Sequence, residues 1–198
     1  VDGVVPGVAN VLVPASGSYK AGDVLSFTVN TSEVVFVGGS PRLALEVGGV
    51  AQYATLVAGN GSSSLVFQYT VQAGDTDANG ISITSLDSAG GSITDAAGNA
   101  MQLALNNVGS TAGVWIDTQA PAVVAMLRST PSPTGGEVVQ FAVTFSEEVS
   151  GVDLADFALV LTGSASGAIT DIYNLNNASY IVTVSGVTGA GTLGLGMN

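Results

Sequence analysis

The sequence predicts an all-β protein built from antiparallel β-sandwiches in tandem, and three observations support this prediction. Hydrophobic residues make up 46% of the 198-residue chain and are mainly Val, Leu and Ala set among Ser and Thr. They alternate with polar residues at a period of two, as in strands that bury one face. The chain also holds 27 glycines, which interrupt the alternation at turns, and it contains two copies of one sequence pattern.

The first part of the chain carries the larger set of predicted strands. Stretches rich in Gly, Ser, Asp and Asn, such as "SGSYKAGD", "GNGSS" and "SAGG", separate the alternating runs and predict turns. About seven short strands at this spacing are typical of an immunoglobulin-like sandwich. The predicted strands lie near residues 8–13, 23–31, 41–47, 50–57, 64–72, 80–86, 101–108 and 113–116.

An internal repeat divides the chain into two modules. The stretch "GDVLSFTVNTSEVV" at 22–35 matches "GEVVQFAVTFSEEV" at 136–149 in seven of 14 positions. The segments before them also correspond, because Asp-x-x-x-Pro begins at Asp2 and again at Asp117. A proline fixes φ and biases its predecessor to extended conformations, so both segments are interpreted as stiff linkers. The modules are therefore predicted at 1–117 and 118–198.

The second module is expected to be incomplete at its C-terminus. It repeats the early part of the first module, but Asn198 is reached before any counterpart of the "DAAGN" stretch and the closing strand. Either the sequence is cut there or a neighbouring segment supplies the missing strand. The predicted strands lie near 123–128, 137–145, 157–162, 168–174 and 179–185.

Charge and composition exclude several functional classes. The chain has 15 acidic residues, three basic residues and no His, which gives a net charge of −12. Nucleic acid is excluded as a partner because phosphate recognition needs clustered Lys and Arg. No run approaches the roughly 18 apolar residues that span a bilayer, so membrane insertion is not expected. Without Cys or His the usual hydrolase triads cannot form, and we expect no enzyme activity.

Several stretches resemble one family of repeats. "YKAGDVLSFTVNTSEVVFVGGSPRLALEVGG", "YTVQAGDTDANGI", "GGSITDAAGN" and "GVWIDTQAP" resemble the tandem immunoglobulin-like repeats of very large bacterial surface adhesins and related exported repeat proteins, and "FAVTFSEEVSGVDLADFAL" is similar to a sister repeat type. The resemblance implies a segment at the bacterial cell surface that is joined in series to neighbouring repeats. It also implies joints that calcium makes rigid.

One loop carries the spacing of a calcium ligand set. "DTDANG" at 75–80 reproduces the first six positions of an EF-hand loop, with Asp75, Asp77 and Asn79 spaced two apart. The twelfth position is Leu86 where a bidentate Glu is needed, and neither flank is helical. An Asx-rich turn explains the same residues without a metal, so both interpretations stay open.

Strand counting predicts where the acidic residues meet. Because antiparallel strands reverse direction in turn, the segment around Asp2, the "SE" at Ser32-Glu33 and the "DAAGN" stretch should share one pole. The "DTDANG" loop should lie at the opposite pole, facing the start of the second module. Calcium takes six to eight oxygen ligands, which such groups provide, although strand ends and Asx turns explain the same residues. The candidate calcium ligands are Asp2, Glu33, Asp95 and Asn99 at the first pole, and Asp75, Asp77, Asp117, Glu147 and Asp153 at the second.

These inferences favour a spacer or stalk segment of an exported repeat protein, stiffened by calcium at its module junctions. Three alternatives stay open: a subunit of a self-assembling fibre or surface layer completed by a neighbour's strand, a module that binds a host glycan or protein, and an accessory domain of a secreted enzyme. Trp115 is the only Trp. We expect it to pack beside the linker as core or interface, with a sugar-stacking platform as the alternative.

Overall fold

The structure, a computed structural model, describes residues 3–198 and is all-β, with one short 3-10 helix and no α-helix in that range. The predicted all-β, sandwich-type fold is confirmed. The residues form two compact units, Val1–Gln119 and Ala120–Asn198, called unit 1 and unit 2 below. No helix in the described range is long and apolar enough to cross a bilayer.

Unit 1 contains ten strands in two sheets. The larger sheet has the order β1-β3-β6-β5-β4-β8, with β9 pairing to the far end of β3. The smaller sheet has the order β2-β10-β7, in which β10 runs parallel to β2 and antiparallel to β7. The strands are β1 (Val8–Leu12), β2 (Gly17–Tyr19), β3 (Val24–Gly38), β4 (Arg42–Val47), β5 (Val50–Ala58), β6 (Ser62–Thr70), β7 (Thr76–Asp77), β8 (Ser82–Asp87), β9 (Ser92–Thr94) and β10 (Val114–Asp117).

The core of unit 1 follows from the alternation of its central strands. In β3, residues from Leu25 to Thr31 point alternately inward and outward, and β6 shows the same alternation. Phe27 and Phe67 are directly paired across the two strands and both are 0% exposed. Burying a large side chain of this kind stabilises the folded state by about 1.5–3 kcal/mol, so this pair contributes strongly to the stability of unit 1.

The strand predicted at 101–108 does not form, and that prediction is wrong. The segment runs beside β1 through isolated parallel bridges, Gly7 to Gln102 and Val11 to Val108, and the N–H of Met101 donates to the Ile93 carbonyl at 2.8 Å. The amides of Asn106 and Asn107 donate to carbonyls of β1 at 3.2 and 2.9 Å and replace a regular ladder. Side chains of this type compete with backbone pairing in this way, so alternation alone overestimates strand here.

Unit 2 contains six strands and repeats part of this pattern. One sheet has the order β11-β12-β15-β14, and β13 pairs with β16 in a second sheet of two strands. The connection to β13 contains the 3-10 helix Leu154–Asp156. The strands are β11 (Val123–Arg128), β12 (Val138–Phe145), β13 (Phe157–Leu161), β14 (Ser166–Asn174), β15 (Ser179–Thr188) and β16 (Leu193–Met197).

The pairing of these strands shows which parts of unit 1 are repeated. β12 lies between β11 and β15 as β3 lies between β1 and β6, and β13 pairs with β16 as β4 pairs with β8. Counterparts of β9 and β10 are absent from residues 120–198. The buried residues of unit 2 form two small clusters, one around Val143 and Val182 and one around Val139 and Val184.

Candidate functional site

The predicted first pole of unit 1 brings three remote segments together. The backbone N–H of Gly7 donates to Ser32 Oγ at 3.0 Å, and the N–H of Ser32 donates back to the Gly7 carbonyl at 2.9 Å. The amide of Asn99 reaches the Val4 carbonyl at 3.2 Å. The N-terminal segment, the end of the first half of β3 and the "DAAGN" loop therefore lie side by side. Asp2 lies outside the described residues.

Asp95 organises the "DAAGN" loop. Its side chain is buried, with 5% of the residue exposed. Oδ1 accepts the N–H groups of Ala97 and Asn99, both at 2.8 Å, and Oδ2 accepts the Asn99 amide at 2.6 Å. Burial alone would raise the pKa of Asp95, but the hydrogen bonds from Asn99, Ala97 and Gly98 outweigh it and hold the pKa of this carboxyl below its usual range.

The lowered pKa of Asp95 predicts an acid-sensitive loop. A carboxyl with a lower pKa in the folded state stabilises it above the unfolded value, about 3.9, and this contribution is lost as the pH falls through the folded pKa. Amide chemical shifts of Ala97 and Asn99, followed by NMR from pH 7 downward, are expected to titrate with a midpoint below 3.9. A midpoint at or above that value would contradict the assignment.

The Ser-Glu pair of the repeated sequence lies within β3 in unit 1 and directly after β12 in unit 2, and it occupies equivalent places in both units. In unit 2 the N–H of Ala122 donates to Ser146 Oγ at 3.0 Å, and the N–H of Ser146 donates to the Ala122 carbonyl at 2.8 Å, as Gly7 and Ser32 do in unit 1. Oε1 of Glu33 and Oε1 of Glu147 are both closed off from solvent. Within residues 3–198, this oxygen of Glu147 accepts no hydrogen bond.

The "DTDANG" loop lies at the other end of unit 1, and its two aspartates accept hydrogen bonds. Asp77 is 6% exposed; its Oδ2 accepts the N–H of Gly48 at 2.8 Å, and its Oδ1 accepts those of Asn79 and Gly80 at 3.2 and 2.8 Å. Gly48 has a φ of +54° and comes so close to the Thr76 carbonyl that a Cβ would clash. The turn "GG" therefore fits against β7 only without a side chain.

Asp75 fixes the start of the same loop. Its Oδ2 accepts the N–H of Gln72 at 2.8 Å and the hydroxyl of Tyr69. Burial, and then the hydrogen bond to Asp75, raises the pKa of the Tyr69 hydroxyl. The carboxylate is therefore engaged by two donors of its own unit.

Asp117 ends β10 beside this loop. It pairs with Thr76 in the ladder, and its Oδ1 accepts the N–H of Gln119 at 2.9 Å. The next residue, Thr118, accepts the N–H of Gly74 at 3.0 Å and donates to the Asp75 carbonyl at 2.9 Å. The structure thus brings Asp75, Asp117 and the start of the linker together within unit 1.

Asp153 has a local role in unit 2. It caps the 3-10 helix, because its Oδ1 accepts the N–H of Ala155 at 2.7 Å while Asp156 Oδ2 accepts the N–H of Asp153 at 2.8 Å. This reciprocal pair is a capping box. It also gives Asp156 a role that the sequence did not suggest.

The positions of the acidic side chains determine whether the described part of the chain can hold a metal ion. Within residues 3–198, no three acidic side chains converge into a group that could hold a metal ion. The carboxylates of Asp75, Asp77, Asp95 and Asp153 accept N–H or O–H donors of their own unit. Oδ1 of Asp75, Oδ2 of Asp117 and Oε1 of Glu147 accept no hydrogen bond in the same range.

Two features were missed or misjudged at the level of sequence. Arg42 forms an ion pair with Asp87 at 2.9 Å and lies 3.9 Å from the centre of the Tyr53 ring. The backbone N–H of Ala89, and then the Arg42 guanidinium, hold the pKa of Asp87 below its usual range. Trp115 is 47% exposed and is not a core residue, because β10 points Val114 and Ile116 inward and Trp115 outward.

Comparisons of the chain with protein-family models and with curated proteins found no match. Its function is therefore inferred from its own residues.

Proposed function

We propose that this chain is a structural spacer, a stalk segment of an exported bacterial surface protein whose repeats are joined in series. The observation that carries the proposal is the anchoring of the linker at both ends. Thr118 is held by the Gly74 N–H and the Asp75 carbonyl in unit 1, and Ala122 is held by Ser146 in unit 2. A connection that is anchored on both sides suits a protein whose repeats are joined in series.

The anchoring leaves a short segment. Only residues 119–121 separate the two anchored positions, and Pro121 has a fixed φ that stiffens the last of them. The N–H of Gln119 also donates to Asp117. A flexible tether would instead need a longer run of Gly and Ser without such bonds. The linker is therefore suited to limit motion between modules.

Calcium is the second part of the proposal. A net charge of −12 makes an acidic chain repel itself, and bound cations relieve that repulsion. Asp117 at the end of unit 1 and Glu147 near the start of unit 2 each offer a carboxylate oxygen for a hard cation. Asp2 and Glu33 are their counterparts in the sequence of the first module. An ion bound only by the ordered arrangement stabilises it by mass action.

The remaining parts of the proposal concern setting and partners. We place the protein outside the cell on the bacterial surface, with neighbouring repeats of the same chain as its main partners. A mechanical role needs no catalytic residue, and a chain without His or Cys offers few of the usual nucleophiles and bases. Its proposed role is to maintain the spacing between other parts of the larger protein.

Calcium titration by calorimetry tests the metal part. We expect the wild-type chain to bind Ca²⁺, and both Asp117→Ala and Glu147→Ala to weaken binding at least about tenfold, since each removes a charged ligand. Asp171→Ala is the matched control, because Asp171 is exposed on β14 and it should leave binding unchanged. A titration without heat, or one that both variants leave intact, would contradict calcium binding at this place.

A second candidate function is a subunit of a self-assembling fibre or surface layer. The observation that favours it is the open sheet of unit 2, where β13 and β16 pair only with each other within residues 120–198. Val160 and Met197 on these strands are exposed. A free strand edge with apolar side chains accepts an added strand from another chain. The molecular mass in solution distinguishes this candidate from a monomeric spacer.

A further inference from the structure

The outer face of the small sheet β2-β10-β7 in unit 1 presents the only Trp of the chain. Along β10, Val114 and Ile116 are buried while Trp115 and Asp117 point outward. The ladder places Ser18 beside Trp115 on one flank and Thr76 beside Asp117 on the other. These exposed side chains line an open depression of about 380 Å³, within the usual range for ligand sites of about 300–1,000 Å³.

The aromatic side chain is held in place. Trp115 Nε1 donates to the Ala112 carbonyl at 3.1 Å, which fixes the edge of the ring, and the residue remains 47% exposed. The neighbouring strand β7 is fixed from behind by Asp77, which accepts the N–H groups of Gly48 and Gly80. A ring fixed in this way loses little conformational entropy when a ligand stacks on it.

The polar groups around the ring are available. Within residues 3–198 the hydroxyls of Ser18 and Thr76 take part in none of the hydrogen bonds that hold the sheet, and Asp117 uses only Oδ1, towards Gln119. Each hydroxyl can donate and accept, so the two hydroxyls can bind a saccharide without the Asp117 oxygen that is proposed for calcium. An aromatic face beside donors and acceptors matches the two surfaces of a pyranose ring, which has C–H groups on one face and hydroxyls at its rim.

We propose that this surface, Trp115 with Ser18 and Thr76 and bordered by Asp117, is a binding site for a neutral saccharide. The charge of the site argues for a neutral ligand over an anionic one, because Asp117 borders the ring and the chain carries −12. A quaternary ammonium ion is favoured by several aromatic faces, whereas Trp115 is the only aromatic residue lining the depression. The site would let a stalk segment contact glycans along its length.

Trp115 fluorescence tests the proposal directly, since the chain has no other Trp to obscure the signal. The intact chain is titrated with cello-oligosaccharides, galactomannan oligosaccharides and dextran fragments as neutral probes. Oligogalacturonate serves as the anionic probe and tetramethylammonium chloride as the cationic one. We expect at least one neutral probe to shift the emission in a saturable way, and the shift to persist in a calcium chelator. A response to the charged probes alone, or to none, would overturn the proposal.

Affinity electrophoresis compares matched variants in gels that contain a neutral polysaccharide built from the same sugars as the responding probe. The Trp115→Ala substitution is expected to raise the dissociation constant derived from the retardation at least about tenfold. Thr76→Ala is expected to raise it less. Tyr173→Ala is the control, because Tyr173 is also an exposed aromatic residue on a strand, in unit 2. Circular dichroism establishes that each variant is folded. Equal retardation of the Trp115→Ala and Tyr173→Ala proteins would overturn the site.

Discussion

Replacing Phe27 with Ala is expected to lower the free energy of unfolding of unit 1 by about 3–5 kcal/mol, because it removes a fully buried ring and leaves a cavity. Phe27 lies at the centre of β3 and pairs with Phe67 in β6, both without exposed surface. Urea denaturation followed by Trp115 fluorescence measures the change, since the only Trp lies in unit 1. A loss of that size removes much of the stability of an ordinary domain.

The matched control for this experiment lies on the same strand. Phe36 is 46% exposed, and Phe36→Ala is expected to cost less than about 1 kcal/mol, as surface substitutions do. Unit 2 contains no substituted residue, so any separate transition it gives by circular dichroism should keep its midpoint. Equal losses for the Phe27 and Phe36 variants would contradict the assigned core.

Replacing Asp77 with Ala is expected to destabilise unit 1 by about 2–4 kcal/mol even without calcium. The buried carboxylate accepts three backbone N–H groups, from Gly48, Asn79 and Gly80. A hydrogen bond to a charged group contributes about 1.5–3 kcal/mol net, and the three contributions are not additive because water reaches some of the N–H groups once the side chain is removed. Denaturation in a chelator measures the effect. Glu46→Ala, at an exposed position of β4, is the control and should change stability by less than about 0.5 kcal/mol.

The same experiment separates the two interpretations of the "DTDANG" loop. If Asp77 is mainly a turn-forming residue, its loss destabilises unit 1 equally with and without calcium. If it is mainly a calcium ligand, the Asp77→Ala protein loses stability only relative to the calcium-loaded wild type. A loss below about 1 kcal/mol in the chelator would contradict the structural role.

Alternation predicted β6, β12 and β15 and the first half of β3 well, because each buries one face and therefore repeats with a period of two. The second half of β3, beyond residue 31, was not predicted as strand. Alternation did not predict the short strands β7 and β9, because they have two and three residues, too few for any period to show. In β16 the glycines of "LGLGM" hide the alternation, since they add no side chain to either face. The opposite error occurred at 101–108, where asparagine side chains replace backbone pairing.

Sequence reasoning predicted which segments of the site lie close together, but it did not predict how their carboxylates are hydrogen-bonded. Strand reversal correctly places the "DAAGN" loop beside Ser32 and the N-terminal segment. Sequence spacing did not show that Asp95 and Asp77 would bury their carboxylates against backbone N–H groups, because the same Asp and Asn pattern serves both turns and metal loops. The partner of Asp87 depended on strand register, which pairs Arg42 with Asp87 across β4 and β8.

The central claim is that calcium stiffens the joint of a spacer. Small-angle X-ray scattering of the intact chain, with calcium and then with a chelator, tests it most directly, and the Asp117→Ala protein serves as the comparison. We predict a narrower distribution of dimensions with calcium, a broader one with the chelator, and the broader one in both conditions for the variant, with a monomer mass throughout. Identical scattering of the wild type in both conditions would contradict the claim.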